Sequence, residues 1–127
     1  MSYFGFLICM TISWGHEQFV EYVVDLSQVI GPVYSKRMFG GHGIFLEGIM
    51  FGLVFNGTLY FKVDSDSRER YISRGLEPFS YERKGKTTNL NYYQAPEEVL
   101  DDLDIMRDWS NYAFEAAIKA AAKRKAD

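Results

Sequence analysis

The chain has 127 residues, 47% hydrophobic and 17% aromatic, with a net charge of −3 at pH 7. That length suits one domain, and the apolar content supports a packed core, which excludes a disordered chain. The charge balance excludes a global positive field that would draw in nucleic acid. A single cysteine, Cys9, excludes an internal disulfide and fits a reducing cytoplasm.

Residues 1–15 open the chain with the apolar run MSYFGFLICMTISW. It is shorter than the roughly 20 apolar residues of a spanning helix. It also has no Lys or Arg ahead of its apolar part, so neither a membrane span nor a signal peptide is expected. These residues are read as an N-terminal extension, and residues 16–127 as a single domain. A first helix is expected over about residues 15–30, where Phe19, Val23, Leu26 and Ile30 recur at helical spacing. Gly31-Pro32 stops it. The run FGLVFNGTLYFKV then reads as a hairpin, because Asn56-Gly57 suits a two-residue turn with positive φ at both positions. That turn pairs Phe55 with Thr58, Val54 with Leu59, Leu53 with Tyr60 and Gly52 with Phe61. Glu47-Gly48 reads as another tight turn, so residues 38–63 are expected to form a three-stranded antiparallel meander.

DSDSRERYISRG reads as a short helix capped by Asp64 or Ser65, with Tyr71, Ile72 and Leu76 turned inward. EPFSYERKGKTTNLNYYQ reads as two strands around Lys84-Gly85. A last helix opens near Pro96 and breaks near Asp101-Asp102, with Asp102 capping its longer part. Its stripe carries Val99, Leu103, Met106, Trp109, Ala113, Ala116 and Ala120. The order helix, three strands, helix, two strands, helix predicts an α+β fold, a two-layer α-β(3)-α-β(2)-α sandwich with an antiparallel sheet.

Reactive motifs are few. GKTT at residues 85–88 resembles the end of a phosphate-binding loop. However, Ser80 stands where that loop needs its first glycine, and the flanks read as strands where a helix is required. The two histidines, His16 and His42, lie far apart, and with Cys9 alone they offer no zinc spacing. No nucleophile motif such as G-x-S-x-G appears. No catalytic, cofactor-binding or metal-ligating residue is assigned, no cofactor is expected, and the chain is read as a non-enzyme.

Basic residues gather at Lys36 and Arg37, and at Arg83, Lys84 and Lys86. They read as solvated turn charges or as a patch for an acidic partner. On the hairpin, Phe51, Leu53, Phe55 and Tyr60 alternate away from the expected core face. An exposed apolar face of that size predicts self-association, so a homodimer through these four residues is expected.

The stretches RMFGGHGIF, LYFKVD, EPFSYERKGK and NYYQAPEEVLDD occur in this order. Together they resemble the N-terminal domain of the TfoX/Sxy competence regulators, over roughly residues 16–120. The resemblance implies a secretion-chaperone-like fold. It also implies a role in regulating competence for DNA transformation, by co-activating transcription with the cyclic-AMP receptor protein. Full-length regulators of this kind carry a second, helical domain of DNA-binding character, so direct nucleic-acid binding is not expected of this chain.

The expected function is therefore a cytoplasmic regulator acting through contact with transcription machinery or an activator protein, without a membrane role. The residues expected to carry it are Arg37, Met38, Phe39, Gly40 and Gly41 in the first motif, and Tyr81, Arg83, Lys84 and Gly85 in the second. Two rivals stand beside it: a small-molecule-binding or enzymatic domain using the glycine-rich bend, and a chaperone-like peptide binder using the apolar sheet face.

Overall fold

The computed structural model describes residues 16–38 and 40–126. Helix α1 (His16–Ser27) buries Val20 and Val23, with Phe19, Val24 and Leu26 packed beside them, as the helical spacing requires. The buried Ser27 hydroxyl donates to the Val23 carbonyl at 2.7 Å, and a 3₁₀ turn, Gln28–Ile30, leads out. Six strands follow: β1 (Tyr34–Met38), β2 (Gly41–Leu46), β3 (Ile49–Phe55), β4 (Thr58–Lys62), β5 (Pro78–Arg83) and β6 (Lys86–Gln94). They make one antiparallel sheet in the order β1-β2-β3-β4-β6-β5. The short helix α2 (Arg68–Ile72) lies between β4 and β5, and α3 (Leu103–Ala126) closes the described chain.

The α+β class and the antiparallel sheet match the reading from sequence. Its strand count does not: the meander holds four strands, because Tyr34–Met38 also pairs. The three tight turns stand where they were placed. Glu47-Gly48, Asn56-Gly57 and Lys84-Gly85 all have positive φ at both positions, which matches the right-handed twist of the strands they join. The β3–β4 register is the expected one, from Phe55–Thr58 to Gly52–Phe61.

A β-bulge changes which face each residue serves. Ile44 pairs with Gly52, but the next residue, Phe45, pairs with Met50, so Phe51 is an extra residue in β3. From that point on, the side chains change sides. Phe51 enters the helix-side core, 6.4 Å from the Phe61 ring centre and 6.0 Å from that of Phe114. Met50 moves to the opposite face. The helix-side core also holds Ile44, Leu46, Val54, Leu59 and Val63 from the sheet, and Met106, Trp109, Ala113 and Ala117 from α3.

The opposite face is not an open surface. Leu53, Phe79 and Tyr92 form a second buried cluster, flanked by Met50, Phe55, Tyr60, Tyr81 and Leu90. Phe79 sits edge-on to Phe55 at 5.3 Å and to Tyr60 at 5.0 Å between ring centres, an arrangement that contributes beyond area burial. The expected dimer face therefore does not exist as drawn: Phe51 and Leu53 are fully buried, on opposite sides of the sheet.

Helix ends follow local chemistry. Asp102 Oδ1 accepts from the backbone N–H of Asp104 and Ile105, at 2.9 and 3.2 Å, the expected cap of α3. Asp64 Oδ1 accepts from the Asp66 and Ser67 N–H groups, and the Asp64 N–H donates to Ser67 Oγ. These bonds and nearby Lys119 outweigh the burial that would otherwise raise the Asp64 carboxyl, and hold it below the usual range. Leu103 and Ile72 depart from the reading, since both face solvent. Leu103 begins α3 before the helix reaches the sheet, and Ile72 ends a five-residue helix whose one buried side chain is Tyr71.

Tyr71 packs edge-on to Trp109 at 4.9 Å, yet its buried hydroxyl has no hydrogen-bond partner among the described residues. Tyr71→Phe removes an unsatisfied polar group, so urea unfolding should show equal or higher stability, by up to about 1 kcal/mol. A loss above about 1 kcal/mol would mean the hydroxyl holds a buried water. Gly41 is governed by space: a Cβ there would overlap the Val54 carbonyl oxygen of the neighbouring strand and press on Phe55. Gly41→Ala is expected to cost about 1–3 kcal/mol. For Gly43→Ala the nearest atoms are the far ends of the Phe45, Met38 and Met50 side chains, which can give way, so it should cost less in the same assay.

Candidate functional site

The bend between β1 and β2 builds the largest feature of the first motif. Arg37 is paired with His42, and Met38 with Gly41, across the two strands. Gly40 turns the chain at φ 77°, a conformation that side chains with a Cβ resist. Gly41 then lets β2 lie close against β3. The result is a cleft of about 590 Å³ between the bend and α1, lined by Arg37, Gly40, Gly41 and His42 on one side and Glu17, Gln18 and Glu21 on the other. That volume falls within the range of small-molecule sites.

The cleft's chemistry is mixed and slightly acidic. Arg37 Nη2 donates to Glu17 Oε2 at 2.8 Å. With 74% and 68% of these side chains exposed, the pair contributes no more than about 1 kcal/mol to folding. It does hold the guanidinium across the cleft mouth. Glu21 adds a second carboxylate, so Arg37 is outnumbered two to one among these acidic and basic groups. A wall with two carboxylates opposes phosphate, so the glycine-rich bend is not an anion cradle. His42 lines the cleft, and its Nδ1 is buried with no hydrogen-bond partner among the described residues. An unpaired buried nitrogen of this kind costs free energy unless a water pairs with it.

The second motif stands elsewhere. Tyr81 and Arg83 lie on β5, and Lys84-Gly85 forms the turn into β6. β5 is the last strand of the order and β1 the first. The structure thus brings Arg37, Gly40, Gly41 and His42 together with α1, but does not bring Tyr81, Lys84 or Gly85 to them. Phe39 lies outside the described residues, as does the Arg83 side chain. Met38 is half-buried and its sulfur lies over Gly43. GKTT runs from the Lys84-Gly85 turn into β6, so it is hairpin and strand, without the helix a phosphate loop needs.

Sequence reasoning missed Glu17, Gln18 and Glu21 as site residues. Glu17 and Glu21 are four apart and so share a helix face. Nothing local indicates that this face looks onto the bend; that depends on how α1 packs.

Residues 25–117 match the TfoX N-terminal domain. Protein Sxy of Escherichia coli K12 is 26% identical over 105 residues, covering 82% of this chain and 48% of that protein. DNA transformation protein TfoX1 of Aliivibrio fischeri is 34% identical over 81 residues, covering 64% of this chain and 37% of that protein. The chain thus spans less than half the length of either relative. The matched residues run from the end of α1 through the whole sheet to the middle of α3. The chain belongs to the TfoX N-terminal domain family.

Proposed function

We propose that this domain is a regulator of the DNA-transformation type that works by protein–protein contact in the cytoplasm, without catalysing a reaction. The observation that carries the proposal is the family match across the entire sheet, joined to relatives named for Sxy and for DNA transformation. The contacting groups are the exposed ones of the two motifs: Arg37 at the cleft mouth and Lys84 at the β5–β6 turn. Both can change without disturbing a core. The partner is transcription machinery or one of its activator proteins. The homodimer has lost the surface that motivated it and is left out of this proposal. No helix among the described residues is long and apolar enough to cross a membrane, and no membrane role is proposed.

A second reading is favoured by one observation, the cleft that Glu17, Glu21 and His42 line beside the glycine-rich bend. Its two carboxylates suit a small molecule bearing a cation or several hydrogen-bond donors. In that reading Gly40 and Gly41 admit the ligand close to the backbone. The peptide-binder reading lacks support of this kind, because Phe79 packs over Phe55 and Tyr60 where a groove was expected.

Affinity capture of the tagged chain from extract of its native cell, read by mass spectrometry, tests the regulator. RNA polymerase or an associated activator should be recovered. Arg37→Glu and Lys84→Glu should each lower that recovery severalfold with an unchanged circular-dichroism spectrum. Repeated capture free of any transcription component would overturn the proposal. Shifts of the His42 ring signals on addition of a small polyamine, together with such an empty capture, would move the assignment to the second reading.

A further inference from the structure

A second cleft, of about 600 Å³, opens at the other end of β2 and β3, where the Glu47-Gly48 turn faces the last turns of α3. Its apolar walls come from Phe45, Ile49 and Met50 on one side and Ala117, Ala120 and Ala121 on the other. The alanines keep α3 thin here, which leaves the space open. Two cations line it, Lys62 from β4 and Arg124 from α3. A third, Lys36, lies with its Nζ 5.2 Å from the centre of the Phe45 ring. Of these three only Lys62 and Arg124 line the cleft, against one lining carboxylate, Glu47.

Lys62 is the decisive residue. Its Nζ lies 5.1 Å from the centre of the Tyr92 ring, and no carboxylate among the described residues forms an ion pair with it or with Arg124. Burial, and then the Arg124 charge, push the Lys62 ammonium below its usual range. Both effects work against the charged form. Arg124 alone has an ordinary explanation, since cations are favoured near a helix C-terminus. That explanation does not reach Lys62, which stands on a strand. Nearby Lys119 is taken up by Asp64 and Asp66 and so does not add to the excess. The Tyr92 hydroxyl, pushed up to about 12 by burial despite nearby Arg124, stays protonated and donates weakly to the Met50 carbonyl at 3.4 Å. It is a further donor that a ligand can recruit.

We propose that this cleft binds a small free organic anion with an apolar body, its acidic head between Lys62 and Arg124 and its tail against Phe45, Met50 and the α3 alanines. A bound anion would supply the missing counter-charge for both cations, and the apolar walls would bury its tail. The concave volume favours a free molecule over a flat lipid surface. The site is separate from the Arg37–His42 cleft, and its test does not depend on the regulatory proposal.

Decanoate is a direct probe, followed by calorimetry and by amide shifts in the full chain. Binding with a Kd at or below about 1 mM is expected, with shifts at Met50, Tyr92 and Ala120. Decanol and decylammonium should bind at least about tenfold more weakly. Lys62→Gln and Arg124→Gln should each weaken decanoate about tenfold, the loss of one charge-assisted bond. Ala120→Phe, which fills the cleft from the solvent side of the core, should abolish binding while leaving the cations in place. Absence of decanoate binding, or equal binding of decanoate and decylammonium, would overturn the proposal. So would co-sedimentation with phosphatidylglycerol vesicles without binding of free decanoate, which would assign the cations to a membrane surface.

Discussion

Across the β2–β3 pair, Ile44 faces Gly52 while Phe45 faces Met50, which leaves Phe51 as an extra residue with no partner of its own. Side chains alternate along a strand, so one extra residue exchanges the faces of everything beyond it. Without the bulge, Phe51 would join Leu53 and Phe55 on one side, and the helix-side core would lose its ring contacts with Phe61 and Phe114. With it, β3 serves two cores at once. Val54 and Phe51 meet the helices, while Leu53 and Met50 meet Phe79 and Tyr92. A bulge also increases local twist, which suits a sheet whose later strands pack Phe79 against Phe55 and Tyr60. Both clefts flank these same strands, one at each end of β2.

How much of this could be read beforehand follows from which interactions are local. Turn chemistry is local, so Asn56-Gly57, Glu47-Gly48 and Lys84-Gly85 were legible, and the β3–β4 register came with them. Capping is local too, and Asp102 was found. β1 was not legible as a strand because four of its five residues are polar or exposed, and its one strand partner is β2, through Gly41–Phe45. The bulge was invisible for a sharper reason. MFGLVF reads as uninterrupted apolar sequence, and nothing in it says that Phe51 has no partner across the ladder. That fact is a property of the β2–β3 pair. The bulge removes only Phe51 from the expected dimer face; Leu53, Phe55 and Tyr60 keep the side that alternation gives them, and Phe79 from β5 packs on Phe55 and Tyr60 there.

Charge was legible as clusters but not as surroundings. Arg37 was singled out, and its partner Glu17 was seen only as the polar side of a helix. Their meeting depends on α1 crossing the sheet at its β1–β2 corner. Alternation puts Lys62 on the outward face of the hairpin with Tyr60, but does not show what surrounds it. Its environment is set by Tyr92 from β6 and Arg124 from α3, residues 30 or more positions away. The two clefts consequently differ in sign: carboxylates dominate the one beside Arg37, and cations the one beside Lys62. One small domain thus offers chemically distinct ends without any large net charge.

The motifs that mark the family are, in this chain, mostly residues that make the fold. Gly40 supplies a positive φ and Gly41 clears the Val54 carbonyl. Lys84-Gly85 forms a turn, and Tyr81 flanks the second core. A chain that builds this bend and this hairpin depends on the three glycines, Gly40, Gly41 and Gly85, whatever it binds. The family resemblance therefore foretold architecture better than contacts. Groups free to vary the contacts are the ones that architecture does not constrain: Arg37, Lys84, Glu21 and the cations at the α3 end. A comparison that asks what such domains do should weigh those positions, because a match at Gly41 reports only that two strands lie close together.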